Sequence, residues 1–240
     1  MDDDFRGPRE AMLMSNDLSP TMRDYLAEVY RLSDQHGAGG FVSTSALADL
    51  LDVSAPAVNR MVTKLKEMRL LDHEPYQGIR LTKQGEREAL KYLRRHRIAE
   101  AFLVNVMGFK WHEVHGEADQ MARGLNERLA KRMSAMAGNP THCPHGEPIP
   151  DAEGNLPELD DVPLLAAAQK ADLELTRVQT REPDRLDYLG ALGLVPGAHL
   201  QVLNIAPFNG PIQLKLNKEY RIIGHNLAET IRVRVLEDEA

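Results

Sequence analysis

The chain has 240 residues, 42% of them hydrophobic and 27% charged, with a net charge of −7. This is an ordinary globular composition, long enough for two or three small domains and too acidic, taken whole, for a generic nucleic-acid coat. The single cysteine, Cys143, excludes an intrachain disulfide and suits a reducing compartment. No apolar run reaches the roughly 18 residues of a membrane span. The opening MDDDFRGPRE does not read as a signal peptide. The expected address is cytoplasmic, with no membrane partner.

Met1 to Ser19 are polar, acidic and rich in breakers, and read as a flexible arm. A helix is predicted to start at Ser19-Pro20, with Ser19 as N-cap and Pro20 at the first position. Met22, Leu26, Val29 and Leu32 keep helical spacing, and Asp24 lies on a more polar face. The run HGAGG then forces a turn. In VSTSALADLLDVSAPAVNRMVTKLKEMRLL, Ser43 or Thr44 caps a short helix through Leu51, Asp52-Val53 turns, and Ser54 caps a second helix that tolerates Pro56 in its first turn. Ala48, Val53, Val58, Val62 and Leu65 are spaced to pack the two helices together. This is a helix-turn-helix pattern, and the hairpin predicted from Leu70-Leu71 through the turn Tyr76-Gln77-Gly78 to Thr82 is its wing.

Charge points the same way. Arg60, Lys64, Lys66, Arg69, Arg80, Lys83, Arg87, Lys91, Arg94, Arg95 and Arg97 make a basic module inside an acidic chain, diluted only by Glu67, Asp72, Glu74, Glu86 and Glu88. Such a module would bind double-stranded DNA with steep salt dependence. Ala55, Pro56, Ala57, Asn59 and Arg60, at the start of the second helix, are candidates for reading base edges. Lys64, Tyr76 and Arg80 would hold backbone, and Ser43 and Ser54 complete the candidate DNA-binding set at the two helix starts.

A long helix is predicted from about Lys83 to Val106, a turn at Gly108, and a second helix from Glu113 to Ala137. The first carries His96 and Glu100, the second His115 and Asp119. Each pair is spaced i, i+4 and so projects from one helix face. Two such pairs face to face would set two imidazoles and two carboxylates around one point, a donor set suited to Mn(II), Fe(II), Zn(II), Co(II) or Ni(II). Leu90, Leu93, Ile98, Phe102, Leu103 and Val106 exceed what one helix face buries in a monomer, which suggests a homodimer.

The segment GNPTHCPHGEPIPDAEGNLPELDDVP reads as a linker. His142, Cys143 and His145 have no second Cys/His cluster to complete a four-ligand zinc site, so they read as a packed turn. From Ala166 onward the pattern turns to strands, LELTRVQT, HLQVLNIAP, IQLKL, YRIIG and TIRVRVLE, with a short helix DRLDYLGALGL, as in a small SH3-like barrel.

The order of winged helix, LRRHRIAE, VHGEAD, CPHGEPIP and C-terminal barrel resembles the diphtheria toxin repressor family of iron- and manganese-dependent regulators, over nearly the whole chain after Ser19. The segment LGLVPG…APFNGP is similar to small ferrous-transport accessory proteins. The resemblance implies an α+β chain: arm 1–19, winged helix 20–85, helical dimerisation and metal-binding domain 86–150, linker 151–165 and SH3-like domain 166–240. It implies a metal-dependent repressor of metal homeostasis genes, active as a homodimer with Mn(II) or Fe(II) as cofactor, other divalent ions being possible, and a DNA operator as partner. One site would draw on His96, Glu100, His115 and Glu182, with Arg185 where the family has a Gln ligand. A second would use Asp24 and Asp119, but Ala122 and Arg123 stand where that site expects a Glu and a His. Arg123 could instead pair with Asp119. The rival readings are a DNA-binding regulator that has lost metal gating and a metalloenzyme built on the His/Glu helices. The latter leaves the basic module unexplained, so no enzyme is expected.

Overall fold

The computed structural model describes residues 18–35 and 40–236. The expected N-terminal arm, up to residue 17, and the turn at residues 36–39 lie outside them. The chain divides into two compact units. One runs through Arg94 and includes Pro150–Asn155; the other comprises Arg95–Ile149 and the chain from Leu156 onward.

In the first unit, α1 (Pro20–Gln35), α2 (Thr44–Leu51) and α3 (Ala55–Glu67) precede a hairpin of β1 (Leu71–Glu74) and β2 (Gly78–Leu81). Ser43 caps α2 as expected, its hydroxyl accepting from the backbone N–H groups of Ser45 and Ala46. Ser54 does not cap α3 with its side chain. Its carbonyl takes the Ala57 and Val58 N–H groups instead, leaving the hydroxyl exposed. The turn between α2 and α3 is made by Asp52 in the left-handed region (φ 51°). Met22, Leu26 and Val29 of α1 pack with Leu47, Ala48, Val58, Val62, Leu65 and Ile79 into one core. Val53 was expected in that core but is exposed, because the turn that joins the helices carries it outward. The wing is pinned from behind by a two-bond bridge between Val42 and Ile79. At Gly78 a Cβ would stand 2.3 Å from the Val42 carbonyl oxygen, so only glycine lets the wing lie this close.

Helix α4 (Lys83–Asn105) runs from the first unit into the second. The Thr82 hydroxyl accepts from Gly85 N–H at its start, with Glu86 in the first turn. Of its apolar residues, Leu90, Leu93, Ile98 and Leu103 are already buried within this chain, Phe102 is half-buried and Val106 is exposed. The excess of apolar positions expected on α4 therefore shrinks. The exposed apolar residues of this region are Val106, Met107, Leu129 and Met136.

In the second unit Gly108 (φ 77°) turns the chain into a 3₁₀ turn at Trp111–Glu113 and then α5 (Val114–Gly124) and α6 (Glu127–Met136). A single helix was expected from Glu113 to Ala137. It breaks because Leu125 is extended and Asn126 caps α6, accepting from Leu129 N–H at 2.9 Å. The C-terminal part holds β3 (Val162–Pro163), β4 (Leu173–Val178), α7 (Pro183–Ala191), β5 (His199–Ile205), β6 (Ile212–Leu216), β7 (Glu219–Ile223), α8 (His225–Ala228) and β8 (Ile231–Val235). The strands form one antiparallel six-stranded sheet in the order β3-β8-β4-β5-β6-β7, with irregular register near Arg177 and Asn204. This is the small strand-rich domain expected as SH3-like, with α7 and α8 set between its strands, and it begins at Val162, inside the stretch that reads as linker. Among the described residues, no helix is long and apolar enough to cross a membrane.

Candidate metal centre and DNA-reading face

The i, i+4 spacing does bring His96 and Glu100 to one face of α4, and the turn at Gly108 brings His115 of α5 against them. One carboxylate oxygen, Glu100 Oε1, lies 2.9 Å from His96 Nε2, 2.7 Å from His115 Nδ1 and 3.6 Å from His145 Nδ1. Glu100 is 1% exposed and His96 and His145 each 2%. The rings stack: His96 on His115, His115 on His145 (centroids 4.2 Å apart), and His145 on Trp111.

His145 and Cys143 reach this point from the segment taken as a linker. That segment folds into a tight turn in which Cys143 N–H bonds the Glu147 carbonyl and Gly146 N–H bonds the Cys143 carbonyl. Two groups of ligand-type side chains result, His96/Glu100/His115 and Glu100/Cys143/His145, each with its ligand atoms within 4.8 Å of one another and sharing Glu100. His145 Nε2 faces the Trp111 carbonyl at 2.8 Å. A carbonyl can only accept, so Nε2 carries a proton, and Nδ1 is the nitrogen turned toward Cys143 Sγ, 3.8 Å away, and toward Glu100. Such an outer hydrogen bond is how metal-bound histidines are commonly oriented.

Electrostatics makes the cluster a poor resting place for polar groups alone. Burial pushes the Glu100 pKa up, but the three imidazoles outweigh it and hold it well below the usual range. Burial lowers His115 to about 4, against the pull of Glu100. Burial also opposes charge on His145, but Glu100, the Trp111 carbonyl and Glu147 raise it overall. Burial and Glu100 push the Cys143 thiol well up. His115 Nε2 is buried with no hydrogen-bond partner among the described residues, and its Nδ1 contact with Glu100 lacks hydrogen-bond geometry. One oxygen cannot satisfy three rings. A divalent ion accepting their lone pairs would, and the nitrogen, oxygen and sulphur donors fit a transition ion.

The other expected ligands are placed elsewhere. Glu182, at the start of α7, is exposed and pairs with Arg185 at 2.7 Å; it is not among the side chains gathered at the centre. Asp119 stands beside the cluster, with Oδ1 2.9 Å from His96 Nδ1, and its Oδ2 is held by Arg181. The expected partner, Arg123, is exposed, and Ala122 is buried. Asp24, in the first unit, accepts a hydrogen bond from the Tyr92 hydroxyl at 2.8 Å.

On α3, Ser54, Ala55, Pro56, Asn59, Arg60 and Lys64 are exposed and Ala57 is half-buried, while Val58, Val62 and Leu65 turn inward. The helix thus offers one polar, cationic face. Tyr76 stands fully exposed at the wing tip with φ 66°, and Arg80 lies over the Phe41 ring and beside Asp72. Ser43 is exposed at the start of α2.

Residues 17–79 match the N-terminal DNA-binding domain of iron-dependent repressors, residues 82–151 their metal-binding and dimerisation domain, and residues 162–235 the FeoA domain. The chain is 28% identical over 230 residues to the iron-dependent repressor IdeR of Mycobacterium tuberculosis, covering 91% of this chain and 98% of that one. A manganese-dependent transcriptional repressor solved with manganese is 33% identical, with 90% of this chain and all of that one covered and a TM-score of 0.82. ScaR with bound Zn2+ is 29% identical, covering 90% of this chain and 99% of that one, with a TM-score of 0.78. With a DNA-binding domain, a dimerisation domain and a FeoA domain in family order, the chain belongs to the diphtheria toxin repressor and IdeR family of metal-dependent transcriptional repressors, which are not enzymes.

Proposed function

We propose that the protein is a homodimeric repressor whose operator binding is gated by Mn(II) or Fe(II), the ion being held by His96, Glu100 and His115 with Cys143 and His145 completing the donor set. The observation that carries this reading is the buried Glu100 oxygen surrounded by three imidazole nitrogens. When bound, the ion supplies the positive charge that the carboxylate and thiolate need and fixes α4, α5 and the Cys143–Glu147 turn to one another. Neutral His115 is ready to bind it. Cys143 and His145 Nδ1 bind an ion only when deprotonated, so binding is linked to pH. Gating requires that the ion favour one arrangement of the protein over another, since tight binding alone shifts nothing.

On the DNA side, Asn59 and Arg60 read base edges with Ala55, Pro56 and Ala57, while Lys64, Tyr76, Arg80, Ser43 and Ser54 hold backbone. Val106, Met107, Leu129 and Met136, exposed on the helices of the dimerisation domain, supply apolar surface for the partner chain. The genes served are those of metal homeostasis.

The test is titration of metal-stripped protein with Mn(II) and with Fe(II) under anaerobic conditions, reading affinity for a metal-transporter promoter fragment at fixed salt beside His96→Ala. Affinity that rises with metal in the wild type and not in the variant supports gating. A metal-blind regulator is the second reading, favoured by Ala122 and Arg123 and by the Arg181 guanidinium on Asp119. Equal operator affinity with and without metal would establish it.

A further inference from the structure

Two of the donors, Cys143 and His145, belong to a turn rather than to a helix or strand, yet both are buried. What holds them is the C-terminal sheet. The His145 carbonyl accepts from Val178 N–H of β4 at 2.9 Å. Gly146 (φ 84°) lies so close to the same strand that a Cβ would stand 1.9 Å from the Thr176 carbonyl oxygen. Next comes Glu147, whose carboxylate takes Arg97 Nη2 at 2.8 Å and Arg177 Nη1 at 3.3 Å. Arg97 adjoins His96 on α4 and also donates to the Pro148 carbonyl at 2.6 Å. Arg177, 3% exposed, is fixed by a two-bond grip on Asp161, with Nε at 2.7 Å and Nη2 at 2.9 Å. Asp161 is in turn held by Arg232 of β8. A chain of paired charges, buried at Arg177 and Arg97 and half-buried at Glu147, thus runs from the sheet to within one residue of a metal-site histidine.

We infer that Glu147 and Arg177 are positioning residues for the metal centre: through them the FeoA domain sets where Cys143 and His145 stand, without donating a ligand of its own. This rests on the proposed metal site. It also gives the C-terminal domain a place in metal sensing that does not need Glu182, which faces solvent. A carboxylate shared by two guanidiniums is a rigid link, because each bond is charge-assisted and neither arginine can lose its charge.

The test uses the full chain and Co(II) as probe, whose thiolate complexes show a near-ultraviolet charge-transfer band. Glu147→Gln keeps the shape and removes the charge, and its side chain is not deeply buried. Glu147→Asp keeps the charge. Affinity is measured by competition with a chromophoric chelator, and metal-free unfolding midpoints are recorded beside it. The expected result for Glu147→Gln is an affinity loss of about 10- to 100-fold with a weakened thiolate band, the range seen when partners of metal ligands are removed. Glu147→Asp should restore part of both, and Arg177→Lys should lose affinity in the same direction. A Glu147→Gln protein that unfolds more easily without metal, yet matches wild type in affinity and band, would overturn the inference and leave the metal site intact. A wild type that binds Co(II) without any thiolate band removes Cys143 from the donor set and this inference with it. A wild type that binds no Co(II), or a His96→Ala variant that binds it unchanged, rejects the proposed site itself.

Discussion

Replacing Glu100 by Gln should separate a metal centre from a merely polar core. The side chain keeps its volume and loses its charge, and Oε1 is the atom common to both groups of donors. In the metal-free protein the cost is bounded. Hydrogen bonds to a charged group are worth about 1.5–3 kcal/mol, and the upward pull of Glu100 on the His145 pKa goes with the carboxylate, so the imidazole need not stay charged without its partner. A destabilisation of about 1–3 kcal/mol is expected. With metal the difference should grow. At a free ion concentration 100 times the wild-type Kd, binding adds about 2.7 kcal/mol. If the amide weakens affinity about 100-fold, the same ion concentration adds only about 0.4 kcal/mol to the variant. Urea unfolding of both proteins with Mn(II), Fe(II) or Co(II), and without, gives the four midpoints needed. A variant that keeps the full metal increment would refute the reasoning, because the ion would then be bound somewhere that Glu100 does not reach.

The remaining expectations concern pH, the sheet and DNA. His115 is lowered to about 4 from an ordinary 6.5, so the unfolded chain takes up a proton in that interval that the folded chain refuses. Metal-free stability contributed by this group should therefore fall as pH drops from 6.5 towards 4, and a pH series of unfolding midpoints for wild type minus His115→Asn should show that slope; a flat difference would contradict it. Asp161→Asn strips the buried Arg177 of its main counter-charge and should cost about 3–5 kcal/mol by chemical denaturation, as for other broken buried pairs; a loss under about 1 kcal/mol would mean that Glu147 suffices. Arg60→Ala should cost about 1–3 kcal/mol in operator affinity and relax sequence preference, whereas Lys64→Ala should weaken all sequences alike and reduce the salt slope by about 1. Titrations at several salt concentrations distinguish the two, and an Arg60→Ala protein with unchanged preference would remove Arg60 from base reading.

The winged helix was legible because its signals are local. Small polar residues start each helix, Val58, Val62 and Leu65 keep one face, and Gly78 closes the wing. The His96/Glu100/His115 group was legible for the same reason, since i, i+4 spacing on two helices joined at a glycine leaves little freedom. Cys143 and His145 were not, because their partners are Glu100 and His115, far away in sequence and already assigned. Their complement in space is Glu100 and His115 rather than a second Cys/His cluster, and the Cys-x-His spacing was the one local signal. Glu182 shows the reverse case. A carboxylate near a helix start can serve an ion or a neighbouring arginine, and Arg185 one turn away takes it here. Nothing local could have announced that Arg181 would reach Asp119, since that pair is made by the docking of the C-terminal sheet within its unit.

Asp119 bears on how much work the one centre must do. Its carboxylate is shared between His96 Nδ1 and the Arg181 guanidinium. A guanidinium is present at every metal concentration and charged at every accessible pH, so it steadies Asp119 alike with and without an ion. It cannot itself gate anything, since only a ligand with different affinity for two states moves their balance. On the proposed function the discrimination comes from the centre at Glu100. Carrying a two-state equilibrium from 1:99 to 99:1 takes a preference of about 10⁴ in total. If the two chains of the proposed dimer switch together, each ion need supply only about 10², or about 2.7 kcal/mol at RT near 0.59 kcal/mol. That is within the coupling energies usual between linked sites. A single buried centre per chain is therefore energetically sufficient for gating, provided both chains act as one, and operator binding should then rise with metal more steeply than a one-site curve. Activation that follows a one-site curve, with two ions bound per dimer, would mean that each chain switches alone and that one centre cannot carry the full transition.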